Sequence, residues 1–130
     1  MLTLNKLIIL TALAISSNIQ ADELILSADE AFQPSYTSTS NGNVFVQFKI
    51  ADGYKLYNNM FEVDSNANII EISEGTNEND EFLGNVTVSK NIATLLIDKG
   101  NVSKREFNLF YQGCKDKVIC YPVQQAIIHY

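Results

Sequence analysis

No tryptophan occurs in the chain, histidine occurs once and cysteine only twice. Each shortage removes a class of fold or function. A zinc centre needs three or four ligands, and the one imidazole, His129, stands beside the C-terminus, so no metal site is expected. For the same reason a Ser–His–Asp triad has no base to build on. No phosphate loop and no paired-carboxylate signature of a glycosidase is present either. Basic residues are scarce: nine Lys and Arg face 15 Asp and Glu, a formal charge of −6. Nucleic acid and anionic membrane would repel such a surface, so neither is expected as a partner. Beyond the N-terminal segment no apolar run approaches the roughly 20 residues that span a bilayer, so no stable membrane insertion is expected. Repeats, low-complexity stretches and linkers are lacking too, which leaves one domain.

What is present begins with an export signal. Met1 to Lys6 is short and basic, Leu7 to Ile15 is apolar apart from Thr11, and Ser16 to Ala21 turns polar and ends on a small residue. That order is the order of a secretory signal peptide, so residues 1–21 are expected to be cleaved and residues 22–130 to form the domain.

Along the domain the apolar period is two. Val44, Val46, Phe48 and Ile50 alternate with Phe45, Gln47 and Lys49, a strand with one buried face. Leu24–Leu26, Ile69–Ile72, Val86–Val88, Ala93–Ile97, Phe107–Tyr111 and Ala126–Ile128 read as further strands. Turn signals lie between them at Ser40–Gly42, Asp52–Gly53, Asp64–Asn66, Gly75 and Asp98–Gly100. One helical turn is expected over Ser27–Phe32, capped by Ser27. Seven or eight short strands in this pattern predict an all-β fold, an immunoglobulin-like antiparallel β-sandwich, with a closed barrel as the alternative. The two cysteines do not match the inter-sheet bridge of immunoglobulins, whose partners lie far apart in sequence and flank a Trp.

Those cysteines are the one conspicuous reactive feature. Cys114 and Cys120 are separated by five residues, so a bridge between them closes only a local loop. Outside the cytosol such a pair oxidises. A loop of about seven residues gains only roughly 2 kcal/mol in the chain-entropy model, a poor return for a staple. Short loops also tend to be exposed and easier to reduce. Spacing leaves two readings open: a redox couple, or a structural bridge in a non-catalytic binding or structural domain.

The sequence around the pair resembles a known family. Tyr111-Gln-Gly-Cys114, five residues, then Cys120-Tyr-Pro122 is similar to the active-site hairpin of the N-terminal periplasmic domain of DsbD, the thiol:disulfide interchange protein. Asp52-Gly-Tyr54-Lys-Leu-Tyr57 resembles that family's Asp-Gly-Tyr-aromatic-Leu-Tyr strand, and Asp80-Glu-Phe82-Leu-Gly84 its cap loop. Ala28-Asp-Glu-Ala-Phe32 is similar to the segment that opens the family's domain. The resemblance implies a periplasmic protein-disulfide reductase with no bound cofactor, its cysteine hairpin covered by the cap loop. Cys120 would form mixed disulfides with partners and Cys114 would resolve them. Asp80 and Glu81 would be the acidic pair beside the cysteines, raising a thiol pKa and passing protons. Phe82 would lie over the disulfide, and Tyr54 and Tyr57 would flank it.

The partners so implied are thioredoxin-fold periplasmic proteins, of the disulfide isomerase or cytochrome c maturation type, and a membrane electron donor. All would be met through transient mixed disulfides, by a monomer. Three positions depart from the family's pattern: Lys55 and Leu83 replace aromatics, and Val123 replaces a proline. The chain stops at Tyr130, so reducing equivalents are expected in trans.

Overall fold

The computed structural model describes residues 24–100 and 105–130; the expected signal peptide, residues 1–21, lies outside them. A single helical turn, α1 (Ala28–Ala31), opens the domain, with the Ser27 hydroxyl accepting from the Glu30 amide as anticipated. Twelve strands follow among the described residues. In chain order they are β1 (Phe32–Ser38), β2 (Asn43–Ile50), β3 (Tyr54–Tyr57), β4 (Glu62–Val63), β5 (Asn68–Ile72) and β6 (Thr76–Asp80). The rest are β7 (Gly84–Ser89), β8 (Ile92–Asp98), β9 (Glu106–Tyr111), β10 (Gly113–Lys115), β11 (Ile119–Cys120) and β12 (Gln124–His129).

They form three antiparallel sheets, ordered β1-β2-β8-β5, β12-β9-β4 and β11-β10-β3-β7-β6. The main core lies where the inner faces meet. Val44, Val46 and Phe48 from β2, Leu95 and Ile97 from β8, Phe107 and Leu109 from β9 and Ile128 from β12 are all buried there. Alternation along β2 and β8 is what the period-two reading requires, since burying one face of a strand exposes every second side chain. The all-β sandwich is thus as expected.

Two elements differ. Leu24–Leu26 is not a strand: it joins no sheet, and Leu24 is exposed. Side chains hold its backbone instead, the Leu26 N–H donating to the Tyr54 hydroxyl at 2.7 Å and the Leu26 carbonyl accepting from Tyr121. Conversely β1, polar and carrying Pro34, has no apolar alternation. It is stable as an edge strand because Pro34 lacks only an outward-facing donor, while the strand pairs with β2 along its length.

The third sheet positions the cysteines. Successive side chains of β3 point to opposite faces, and both faces are covered, so all four residues are buried. Tyr54 and Leu56 enter the main core, whereas Tyr57 joins Val88 and Cys114 in a separate small cluster.

Candidate functional site

The cysteine hairpin is β10, the turn Asp116–Val118, and β11. Its register sets Cys114 directly opposite Cys120, and a disulfide joins them. Directly opposed residues of an antiparallel pair share a face of the sheet, so both sulfurs sit on the side that also carries Lys55 and Tyr57. Gly113 lies within β10, packed against β3. A Cβ there would collide with the Lys55 carbonyl and come within 2.6 Å of the Phe32 ring. The glycine lets the hairpin lie flush on the core. The two sulfurs differ in access: Cys114 is 2% exposed, and Cys120 is half-buried.

The expected cap loop is the tip of a hairpin. Thr76–Asp80 is strand β6, not irregular chain, and pairs with β7 from Thr76 opposite Val88 to Asp80 opposite Gly84. An all-polar edge strand has no alternation to betray it. Three residues, Glu81 to Leu83, make the turn, closed by Gly84 at φ 77°. The Asp80 carboxylate fixes the tip by accepting from the amides of Phe82 and Leu83, at 2.8 and 3.1 Å.

Between the two hairpins lies a cleft of about 360 Å³, bordered by Cys114, Tyr57, Lys55, Asp80 and Phe82. The Tyr57 hydroxyl donates to Asp80 Oδ2 at 2.7 Å and lies 3.1 Å from Cys114 Sγ. Lys55 Nζ meets Glu78 at 2.6 Å, Asp80 at 2.8 Å and Asp116 at 3.2 Å. Burial opposes charge on Lys55, but hydrogen bonds to the three carboxylates outweigh it and hold the ammonium above its ordinary value. Burial likewise opposes ionisation of Asp80. Lys55, the Tyr57 hydroxyl and the two tip amides prevail and keep it well below the usual carboxylate range. For Tyr57, burial and the bond to Asp80 act together and push the phenol up. The site at neutral pH is a charged lysine, an ionised aspartate and a protonated tyrosine beside the disulfide.

The predicted residues divide accordingly. Cys114, Cys120, Tyr57 and Asp80 are brought together. Tyr54 is not: it lies on the core face of β3, where its ring packs edge-on to Phe32. Glu81 is exposed on the tip and borders the cleft, while Glu78, two residues before Asp80 on β6, pairs with Lys55 beneath it. Phe82, expected over the disulfide, borders the cleft beside Cys114 and is 62% exposed. Three cleft residues escaped the sequence reading: Lys55 as an ion-pair hub, Glu78 and Asp116. A signal existed, since one lysine inside Tyr-Lys-Leu-Tyr must be neutralised if both faces are buried, and Glu78 and Asp80 alternate on one face.

A disulfide linking opposed residues of a half-accessible hairpin, with a buried tyrosine–carboxylate pair against it, on an immunoglobulin-like sandwich, defines a class: a β-domain carrying a cysteine pair set for exchange chemistry. Residues 22–130 match the family described as "Thiol:disulfide interchange protein DsbD, N-terminal", and the chain belongs to that family. Among curated relatives, thiol:disulfide interchange protein DsbD 1 of Pseudomonas aeruginosa is 33% identical over 75% of this chain and 18% of its own length. DsbD of Actinobacillus pleuropneumoniae is 36% identical over 79% of this chain and 18% of its own. The chain therefore spans about a fifth of the length of the relatives it matches. The DsbD N-terminal domain of Neisseria meningitidis, solved in the reduced form, superposes with a TM-score of 0.68 at 26% identity, covering 82% of this chain and 89% of that one. The complex of the DsbD and PilB N-terminal domains from the same species gives 0.66 at 27% identity, covering 81% and 86%.

Proposed function

We propose that this chain is a periplasmic thiol–disulfide exchange module of the protein-disulfide reductase type, using the Cys114–Cys120 couple and no cofactor. The observation that carries the reading is the placement of the disulfide: Cys120 half-accessible, Cys114 buried against the Tyr57 hydroxyl at 3.1 Å. A donor thiolate attacks Cys120 Sγ, the accessible sulfur, and Cys114 leaves as a thiolate that takes a proton. The donor's second thiolate then displaces Cys120, so the donor leaves as a disulfide and the pair is left as a dithiol. In the forward half, the Cys120 thiolate attacks an oxidised partner and Cys114 resolves the mixed disulfide.

Tyr57 supports that division. It donates its single O–H to Asp80, so its oxygen is free to accept from the Cys114 thiol once that forms. Asp80, held ionised, orients Tyr57 and acts as a fixed anion, a poor proton acceptor near neutrality. Glu81, exposed at the tip and bordering the cleft, would meet a docking partner there. The expected donor is a membrane or thioredoxin-like protein, and the expected acceptors are oxidised thioredoxin-fold proteins. A relative solved in complex with the PilB N-terminal domain supports docking of a protein partner. Residues 1–21, read as a signal peptide, support a periplasmic domain.

Glutathione titration tests the proposal. A working couple should equilibrate at about −200 to −270 mV, within reach of thioredoxin-like partners. A potential below roughly −300 mV would mark a structural staple and overturn the reading.

A further inference from the structure

The cap hairpin and the cysteine hairpin occupy opposite edges of one sheet: β6 pairs only with β7, and β11 only with β10, with β3 and β7 between. No backbone pairing joins them among the described residues. Side chains rising from β3 do. Tyr57 reaches Asp80, and Lys55 reaches Glu78 and Asp80 on β6 and Asp116 in the turn of the cysteine hairpin. Lys55 is thus the one observed side chain whose ion pairs reach both hairpins, and at 5% exposure it is shielded from screening by salt. It is also one of the three departures from the family's pattern noted above.

We propose that Lys55 is a positioning residue for the exchange reaction: its ion pairs to Glu78, Asp80 and Asp116 hold the cap hairpin against the cysteine hairpin and set how often the sulfurs are open to a partner. The inference rests on the exchange reading and deepens it. Phe82 is too exposed to hold the cap shut by burial, so the closing force lies in the charges beneath it. Removing Lys55 also strands Asp80, 6% exposed, without its cation, which favours displacement of the cap towards water.

The test is alkylation of the dithiothreitol-reduced protein by iodoacetamide, a small neutral probe, as a function of pH. The midpoint of the profile reports the thiol pKa. The high-pH plateau, once corrected for thiolate nucleophilicity with a Brønsted slope of about 0.4–0.5, reports access, so a charge effect and an opening effect separate. Lys55→Met should raise the plateau about tenfold, since it unpairs a buried carboxylate. Asp116→Asn, which removes one half-exposed pair, should raise it about threefold. The double variant should open no further than Lys55→Met, because one tie is being cut twice. The raised rates should be insensitive to low urea, as local opening requires. Plateaus within about twofold of the parent, log-additive effects in the double variant, or a steep urea dependence like that of global unfolding would each overturn the proposal. Should Lys55→Met fail to fold, Asp116→Asn decides alone, by the same plateau and urea criteria. A pair that glutathione cannot reduce sinks the exchange reading but not this test, since dithiothreitol supplies the dithiol.

Discussion

Cys114 and Cys120 are chemically alike and differ only in surroundings, and the proposed division of labour follows from that difference. On that proposal a partner attacks the accessible sulfur, and the buried one, against Tyr57, resolves. Cys114→Ala should therefore accumulate a long-lived mixed disulfide through Cys120, seen on non-reducing gels with a thioredoxin-fold partner, and Cys120→Ala should trap little. Equal trapping by both variants, or trapping only by Cys120→Ala, contradicts the assignment. At this scale the sequence was most legible where a residue's chemistry is singular. Two cysteines separated by five residues have few alternatives, and Tyr57 and Asp80 lie in motifs that travel with them. It was least legible where side-chain direction decides. Tyr54 and Tyr57 read alike in the strand motif, but they lie three positions apart on a chain of period two, so they face opposite sides. Glu78 was missed by the same rule, since it shares a face of β6 with Asp80, while Glu81 borders the cleft from the turn.

Among the elements, the apolar strands were visible and the polar ones were not. β2, β8 and β9 bury every second residue, so hydrophobicity alone locates them. β1 and β6 are edge strands whose order comes from their neighbours' backbone, a cause that leaves no local trace. The cap hairpin built on β6 follows from this. Its tip is rigid through Asp80's two amide bonds rather than through its aromatic. Phe82→Ala should lower stability by less than about 1 kcal/mol in urea unfolding, since a side chain mostly in water forfeits little on truncation. Its effect should fall on partner exchange rates, where the exposed ring supplies contact area. A loss of about 3–5 kcal/mol, the range of a buried Phe, would mean that the tip folds down over the disulfide as the sequence first implied.

For the molecule as a whole, two electrostatic effects compete as pH falls. With a formal charge of −6 at neutrality and an isoelectric point near 4.6, the chain repels itself less as it approaches that point, which favours the folded state. Against this stand the carboxylates that folding makes more acidic. Asp80 is held down despite burial by Lys55, Tyr57 and two amides, Glu78 chiefly by Lys55, and Asp64 by the backbone and side chain of Asn108. A group whose folded pKa is depressed contributes stability that is complete above its unfolded value, about 4, and is lost as pH falls through the folded one. The repulsion is spread over the surface and screened within about 8 Å at physiological salt, whereas the Lys55 cluster is buried, so the second effect dominates once it begins. The melting temperature of the oxidised protein should therefore be level between pH 7 and 5 and drop steeply below about pH 4, followed by circular dichroism. Lys55→Met should lower the melting temperature at pH 7 and make the acid drop shallower, because Asp80 and Glu78 lose the cation that holds their folded pKa values below the unfolded ones. A melting temperature unchanged down to pH 3, or a drop as deep in Lys55→Met as in the parent, would show that the buried charges contribute nothing to holding this domain together.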